Sequence, residues 1–282
     1  MNSSRRPEVI ATGFNSPEGP AFAENGDLYF VNWLTSSINR LDSRGVAQEV
    51  ANTGGIPAGL AFHRDGTLYC ADEGEQIHGI VTIDAAGGIS TFVNSFEGQP
   101  LNGANDLVFD RNGILYFSDP WGSSIEKRIG AFYRAYPDRR VERLDTGLAF
   151  PNGVALNAAE SAVFLAETWT NLIYRYDIAP NGTVGPPRVF AQLADGPGPD
   201  GMAFDDQGNL WVAHHGEGRV DVLDANGRQL DSIRLPGKLV TNIAFGGLDR
   251  DEVVITDVST ASVYRVSIGV KGQRLFGGFR HR

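Results

Sequence analysis

The sequence predicts an all-β fold, a six-bladed β-propeller with four-stranded antiparallel blades, in which residues 1–282 form one domain. The first observation is a short motif that recurs six times at spacings of 40 to 48 residues, as expected of radially repeated units. The second is that further strand-like runs follow each copy, and the third is that helical periodicity is nowhere sustained. The copies of the motif span 17–22, 57–62, 104–109, 151–156, 198–204 and 240–245.

The runs between the motif copies predict the other strands of each blade. Dipeptides such as Asn25-Gly26 and Asp65-Gly66 separate the motif from a second run, and two-residue hairpins prefer these dipeptides. The second runs are continuously apolar, which is typical of strands covered on both faces. They span 28–31, 68–71, 115–118, 163–166, 210–213 and 253–256. Alternating third runs, as at 37–41 and 172–176, and fourth runs, as at 47–50, complete the four strands.

The opening segment, residues 8–13, stands before the first motif as fourth strands stand before the others. We therefore expect this segment to complete the last blade and to close the ring. An open solenoid is the alternative architecture, but it would require polar terminal caps, and none is visible in the sequence.

Composition and charge exclude several classes of function. The chain has 41% apolar residues and a net charge of −10, so it can bury a large core but offers no basic surface to nucleic acid. Cys70 is the single cysteine, so no intrachain disulfide is possible. The first residues lack an apolar signal-like region, and no run of 18 apolar residues exists. We expect a cytoplasmic protein, monomeric or a small homo-oligomer, that works without a membrane or nucleic-acid partner.

One position of the repeated motif carries the candidate metal ligands. In a propeller the first strand of each blade lines the central channel, so residues at the same motif position converge around the axis. Aligned on the closing apolar residue, this ligand column reads Glu18, Ala58, Asn105, Asn152, Asp200 and Thr241. Any single Pro-Asn-Gly is more often a turn than a ligand, but four oxygen donors in one register favour a site.

The chemistry of these donors predicts the ion. Two carboxylates and two amides offer only hard oxygen atoms, which suits calcium with water or substrate completing its shell. The column contains no Cys or His, the ligands that zinc prefers. We expect one divalent metal ion, Ca²⁺ before Zn²⁺, Mg²⁺ or Mn²⁺.

A second set of polar residues lies where each second strand returns to the same face. Most of these are expected to hold loops by hydrogen bonds, with Asp119 and His214 as the two candidate substrate contacts. The His214-His215 pair offers a general base with a pKa near neutrality, although His215 is expected to pack within its strand. The set comprises Asn32, Asp72, Asp119, Glu167, His214 and Asp257.

Three tryptophans follow second-strand ends, and we expect their indoles to form a rim around the mouth of the channel. They are Trp33, Trp121 and Trp169, and the segment 122–136 is expected to form a loop over the same mouth. Packing between blades is the alternative role for each indole. Indoles facing the pocket would favour a substrate with a hydrophobic or aromatic part.

The motif residues resemble the SMP-30/gluconolactonase/luciferin-regenerating-enzyme family over essentially the whole chain. The resemblance rests on Pro17-Glu18-Gly19-Pro20, Asn105-Asp106, Pro151-Asn152-Gly153, Pro199-Asp200-Gly201-Met202 and Ala244-Phe245-Gly246-Gly247. It implies a six-bladed propeller with a divalent metal, often calcium, held on the axis by Glu18, Asn152 and Asp200.

The same resemblance gives Asn105 two readings and identifies one departure. Asn105 matches a residue that binds substrate in gluconolactonases and metal in related phosphotriesterase propellers. Gly103 stands where regucalcin-type gluconolactonases carry an arginine two residues before that asparagine. The departure argues against a sugar lactone as substrate.

The leading hypothesis is a metal-dependent lactonase that acts on a small-molecule lactone or ester. Asp200 is the first candidate for general base or water-positioning group, with Asp106 next, and direct attack by Asp200 stays open because a metal-bound carboxylate is a weak base. The alternatives are a phosphotriesterase or arylesterase at the same metal and a non-catalytic calcium-binding propeller.

Overall fold

The structure is a computed structural model that describes residues 5–247 and 249–275, and these residues form a six-bladed β-propeller as predicted. Each blade is a four-stranded antiparallel sheet, and in blades 1 to 5 the strands pair in chain order. Blade 1 contains Pro17–Phe22, Leu28–Asn32, Ser37–Leu41 and Ala47–Asn52; blade 2 contains Pro57–Phe62, Leu68–Asp72, Gly79–Ile83 and Ile89–Val93; blade 3 contains Leu107–Phe109, Leu115–Asp119, Gly130–Ala135 and Val141–Leu148. Blade 4 contains Pro151–Leu156, Ala162–Glu167, Leu172–Asp177 and Arg188–Gln192; blade 5 contains Gly198–Phe204, Leu210–His215, Arg219–Leu223 and Gln229–Arg234.

Blade 6 contains Val240–Gly246, Glu252–Asp257 and Ser262–Ser267, and the strand Glu8–Thr12 supplies its fourth strand. This strand pairs antiparallel with Ser262–Ser267, and a 3.0 Å ion pair joins Arg265 to Glu8. The predicted closure of the ring by the opening segment is confirmed.

The remaining described elements are short. A two-stranded hairpin of Ser95–Phe96 and Gln99–Pro100 precedes blade 3, and 3₁₀ turns span Trp33–Thr35 and Thr168–Thr170. No described helix is long and apolar enough to cross a membrane. Residues 1–4, 248 and 276–282 of the expected single domain lie outside the described residues.

Aromatic pairs between blades explain why the motif closes on an apolar residue. In four of the six motifs, the closing aromatic ring packs edge-on against an aromatic residue in the second strand of the preceding blade. Such T-shaped pairs contribute about 0.5–1.5 kcal/mol beyond the area they bury. The pairs are Tyr29 with Phe62, Tyr69 with Phe109, Phe164 with Phe204 and Trp211 with Phe245, with ring centroids 4.9 to 5.5 Å apart.

An irregularity at the start of the first strands directs the ligand column toward the axis. In five blades the pairing register shifts directly around the column residue, as between Glu18 and Ala21 in blade 1. A bulge of this kind bends a strand and turns a side chain in a new direction. The next motif position is often glycine because the strands crowd together there. A Cβ at Gly59 would lie only 2.7 Å from the carbonyl oxygen of Asn105.

Candidate active site

The starts of the first strands bring the predicted ligand residues to one end of the channel. Glu18, Asn152 and Asp200 are buried, with exposed fractions of 7%, 4% and 7%, and Asn105 is half-buried. The side-chain amide of Asn152 favours the ionised form of Asp200, and the charge of Asp200 in turn raises the pKa of Glu18. The structure therefore places three of the four predicted ligands in direct electrostatic contact around the axis.

Burial raises the pKa of every carboxyl group at this centre, and repulsion between carboxylates adds to it at Glu18 and Asp200. Burial is the largest cause for Glu18, and the charges of Asp200 and Asp106 add to it. Burial, followed by the charges of Asp106 and Glu73, likewise raises the pKa of Asp200 well above its ordinary value. Burial raises the pKa of Glu73 to about 8 and that of Asp106 to about 7. A cation would stabilise the ionised form of all four groups.

The donor set fits a hard divalent cation. The side-chain oxygen Oδ1 of Asn152 is buried without a hydrogen-bond partner, which is costly unless another group satisfies it. In the described ranges no group of three or more His, Cys, Asp or Glu side chains is arranged to hold a metal ion. Any cation at the axis would therefore depend on the amides of Asn152 and Asn105 as well as on carboxylates, as expected for calcium.

Asp106 lies one layer deeper than the ligand column. Its Oδ2 accepts a 2.7 Å hydrogen bond from the backbone N–H of Val154, so the carboxylate joins blade 3 to blade 4. Together with Asn242 it lines an apolar cavity that continues along the axis between the first strands of the blades. This position favours a structural contribution of Asp106 over the catalytic role expected from the sequence.

Asp119 and His214 lie away from any surface that a substrate could reach. The carboxylate of Asp119, 1% exposed, accepts hydrogen bonds from the backbone N–H groups of Asn102 at 3.0 Å and Gly103 at 2.7 Å. His214 is fully buried, with Nδ1 2.7 Å from Asp221 and Nε2 3.0 Å from the carbonyl oxygen of Asp195. These contacts favour a structural role for both residues, and their predicted contact with substrate stays a prediction.

His215 is the histidine that approaches the site. Its Nδ1 lies 3.6 Å from the Oδ2 of Asp200 and 3.3 Å from the carbonyl oxygen of Val240. Burial is the main cause that lowers the pKa of this imidazole, so its neutral form is favoured. From the sequence, His215 was expected to pack within its strand, and His214 was the candidate substrate contact.

Glu73 is a site residue that was not predicted from the sequence. It is 6% exposed, and its Oε1 accepts a 2.9 Å hydrogen bond from the Nδ2 of Asn105. Glu73 follows the end of the second strand of blade 2 by one residue, and this blade contributes only Ala58 to the ligand column. Blade 2 lacks an oxygen ligand in the column, and an acidic residue at the end of its second strand was the signal that could have identified Glu73.

The tryptophans at the mouth differ in exposure. Trp121 and Trp169 are 38% and 45% exposed, whereas Trp33 is half-buried. The indole of Trp169 packs against the ring of Phe150, with centroids 5.7 Å apart. Two of the three indoles therefore present apolar surface on the face where the ligand column begins.

A well-anchored loop carries Trp121. The side chain of Arg128 bonds to the buried carboxylate of Glu167 at 2.7 Å, and the side-chain amide of Asn102 donates to the carbonyl oxygen of Ile129 at 3.0 Å. These contacts tie the segment between the second and third strands of blade 3 to its neighbours on both sides. The loop is a fixed wall of the mouth.

The same wall explains the glycine at position 103. The φ angle of Gly103 is +144°, and a Cβ there would lie 2.8 Å from the Cβ of Trp121 and 2.8 Å from the carbonyl oxygen of Glu73. No side chain fits between these groups without displacing them. An arginine at this position is therefore incompatible with the observed placement of Trp121.

The fold and the site define a class: a six-bladed propeller whose axis carries a cluster of buried carboxylate and amide side chains beneath partly exposed tryptophans. Comparison with known proteins agrees with this class, because the family model described as SMP-30/Gluconolactonase/LRE-like region matches residues 16–259. The chain belongs to this family.

Curated relatives with similar sequences are named as hydrolases. Diisopropyl-fluorophosphatase of Loligo vulgaris is 30% identical over 259 residues, covering 81% of each chain. Pentonolactonase XacC of Haloferax volcanii is 28% identical, covering 88% of this chain and 83% of the relative. Lactonase drp35 of Staphylococcus haemolyticus is 29% identical, covering 78% and 70%.

Solved structures confirm the fold. The calcium-binding protein regucalcin from Agrobacterium tumefaciens superposes with a TM-score of 0.85 at 22% identity, covering 98% of both chains. A gluconolactonase from Xanthomonas campestris superposes with a TM-score of 0.83 at 24% identity, covering 94% of this chain and 90% of that chain.

Proposed function

We propose that the protein is a metal-dependent hydrolase, a lactonase that opens a lactone or cyclic ester carrying a hydrophobic part. The observation that carries the proposal is the buried, unpartnered Oδ1 of Asn152 within a cluster of carboxylates on the propeller axis. Such an arrangement is costly in a protein that binds no cation. The relatives named as lactonases support the reaction class.

Glu18, Asn152 and Asp200 would hold the cation, with Asn105 as a fourth ligand or as a substrate contact. Their donor atoms are all oxygens, so calcium is the proposed ion. A cation held by these residues would supply Lewis-acid polarisation of the lactone carbonyl and stabilisation of the negative charge on its oxygen.

Proton transfer falls to the pair of Asp200 and His215. Because the carbonyl oxygen of Val240 can only accept, Nδ1 of His215 carries the hydrogen in that 3.3 Å contact, and Nε2 is the nitrogen that can take a proton. The depressed pKa keeps this imidazole neutral and able to accept a proton from the attacking water. The Oδ2 of Asp200 lies 3.6 Å from the Nδ1 of His215, and in this proposal the Asp200 carboxylate orients the attacking water. Direct attack by the same carboxylate on the substrate is the alternative route.

The mouth supports a substrate with an apolar substituent. Trp121 and Trp169 expose apolar ring surface there, and burial of such surface stabilises a complex by about 25 cal/mol per Å². Gly103 leaves no room for a guanidinium that could bind sugar hydroxyl groups. An alkyl- or aryl-substituted lactone is therefore proposed as a better substrate than gluconolactone.

A panel of lactones and esters, assayed on metal-stripped and calcium-loaded protein, tests the proposal. We expect hydrolysis of substituted lactones that disappears with a chelator and returns with calcium, and no turnover in the Asp200→Asn variant. Full activity of protein shown by metal analysis to lack any divalent ion would overturn it.

Phosphotriester hydrolysis at the same site is the second candidate. It is favoured by the 30% identity to diisopropyl-fluorophosphatase over 81% of the chain. An aryl phosphotriester in the same panel decides between the two, because the preferred electrophile shows the higher kcat/KM. Calcium binding without turnover of either substrate class would indicate a non-catalytic propeller instead.

A further inference from the structure

Glu73 is a buried carboxylate at the centre to which neither the fold nor the proposed chemistry gives a task. We propose that Glu73 is a positioning residue that fixes the side-chain amide of Asn105 so that Oδ1, and not Nδ2, faces the channel axis. The inference rests on the proposed function, since it concerns the cation that Asn105 would help to bind.

The backbone of Asn105 is already fixed, so only the direction of its side chain remains to be determined. Its N–H donates to the carbonyl oxygen of Ser118 at 3.0 Å, and its carbonyl oxygen accepts from the N–H of Gly59 at 2.6 Å. The side chain then makes one described hydrogen bond, 2.9 Å long, from Nδ2 to the Oε1 of Glu73.

The chemistry of the two partners sets the orientation of the amide. The contact itself has the Oε1 of Glu73 accepting from the Nδ2 of Asn105, and an asparagine amide has a donating end and an accepting end. A cation at the axis would favour the ionised form of Glu73, which can only accept hydrogen bonds. Glu73 therefore binds the NH₂ group of Asn105 and leaves its oxygen directed to the other side. With no partner at position 73, the amide could turn end for end and present hydrogen atoms to a cation.

Glu73 is itself held in place. Its backbone N–H donates to the carbonyl oxygen of Ile56 at 2.9 Å. Gly103 packs directly on its backbone, where an added Cβ would lie 2.9 Å from the Cα of Glu73. A carboxylate that is 6% exposed and fixed by two neighbouring segments provides a rigid acceptor for the amide.

Exchange of donor and acceptor provides the test. Calcium affinity is measured by titration calorimetry on metal-stripped wild type, E73A, E73Q, N105D and the double variant E73Q/N105D. We expect E73A to weaken calcium binding about 10- to 100-fold, the usual effect of losing a group that orients a ligand. N105D should also bind weakly, because two carboxylates then face each other.

In the double variant the glutamine amide donates to the carboxylate introduced by N105D, so the hydrogen bond is restored with its direction reversed. We expect this variant to bind calcium at least tenfold more tightly than N105D and within about threefold of wild type, a difference of about 0.7 kcal/mol or less. A purely structural role of Glu73 would not produce this recovery.

Three outcomes overturn the inference: E73A binding calcium as tightly as wild type, N105D binding more tightly than wild type, or the double variant binding no better than N105D. Melting temperatures of the metal-free variants establish that each is folded. If E73A fails to fold, the comparison of N105D with the double variant decides.

The Glu18→Gln variant separates this inference from the proposed function. If it binds calcium as wild type does, the proposed axial site itself is wrong. If it loses binding while E73A retains it, only the role of Glu73 is refuted.

Discussion

Replacing Asn152 with leucine should affect the metal-free and calcium-loaded proteins in different ways. The Asn152 side chain is 4% exposed, its Oδ1 has no partner, and its Nδ2 donates to the hydroxyl of Thr168 at 3.2 Å. Leucine has a similar size and shape but no polar atom. The substitution therefore removes a proposed metal ligand without leaving a large cavity.

In the metal-free protein the gain and the loss are of similar size. Removing an unsatisfied buried acceptor returns about 1–3 kcal/mol, and losing the hydrogen bond to Thr168 together with the interaction of the amide with the Asp200 carboxylate costs a similar amount. Thr168 loses little, because its hydroxyl still donates to the carbonyl oxygen of Pro199 at 2.8 Å. We expect the free energy of unfolding of the metal-free protein to change by less than about 1 kcal/mol.

In the loaded protein the lost ligand dominates. At a calcium concentration about 100 times the wild-type Kd, binding stabilises the wild type by about 2.7 kcal/mol. A tenfold weaker variant is stabilised by only about 1.4 kcal/mol under the same conditions. At roughly 2 °C per kcal/mol for a chain of this size, the calcium-induced rise in Tm should fall from roughly 5 °C to roughly 3 °C.

Scanning calorimetry with and without calcium measures both effects. The matched control is Asn242→Leu, because the Oδ1 of Asn242 accepts a 2.8 Å hydrogen bond from the N–H of Ile243 and is not orphaned. That control should destabilise the metal-free protein by more than Asn152→Leu does. Equal losses of Tm by Asn152→Leu in the two forms, with an unchanged calcium-induced rise, would refute the reasoning.

Three further results are expected. His214→Ala should destabilise the protein by about 2–3 kcal/mol in urea unfolding without changing calcium affinity, because it breaks a buried hydrogen-bond network. His215→Ala should mainly lower kcat. The reverse pattern would contradict these assignments. Trp121→Ala should narrow the preference for a substituted lactone over gluconolactone by about tenfold in kcat/KM, as expected for about 55 Å² of lost apolar contact; equal effects on both substrates would contradict the proposed wall. Metal-free protein should melt at a lower temperature at pH 8 than at pH 5.5, because the raised pKa values of Glu73 and Asp106, about 8 and 7, favour their protonated forms in the folded state; a Tm that rises over this interval would exclude the effect.

The axis of the propeller could be predicted because repetition makes it visible in the sequence. Glu18, Asn152 and Asp200 occupy one motif position, and identical strand geometry brings them together whatever the loops do. The aromatic position of the second run, seen at Tyr29 and Tyr69, is a further regularity that the sequence contains, and it explains how neighbouring blades are joined. Regular elements transmit sequence register directly into spatial position.

The details at the ends of the second strands could not be predicted in the same way. Of the consecutive residues His214 and His215, the sequence does not show which one faces the site, because strand twist and the bulge in the paired strand determine that direction. Glu73 lies beyond the last paired residue of its strand, where no periodicity applies. The sequence showed only that Gly103 replaces an arginine. The reason for the glycine is its close contact with Trp121 and Glu73, which are distant in the sequence.

The joint between Glu8–Thr12 and Ser262–Ser267 has a consequence for biosynthesis. Its two partners, Glu8 and Arg265, are 257 residues apart in the chain. At ribosomal rates of about 5–20 residues per second, the first strand waits roughly 13–50 s before its partner has been made. During that time five complete blades can fold in sequence, while the first strand has no sheet to join. The charged Glu8 and the polar Thr12 are exposed at the two ends of this strand, and such residues limit the pairing of a free edge with other nascent chains.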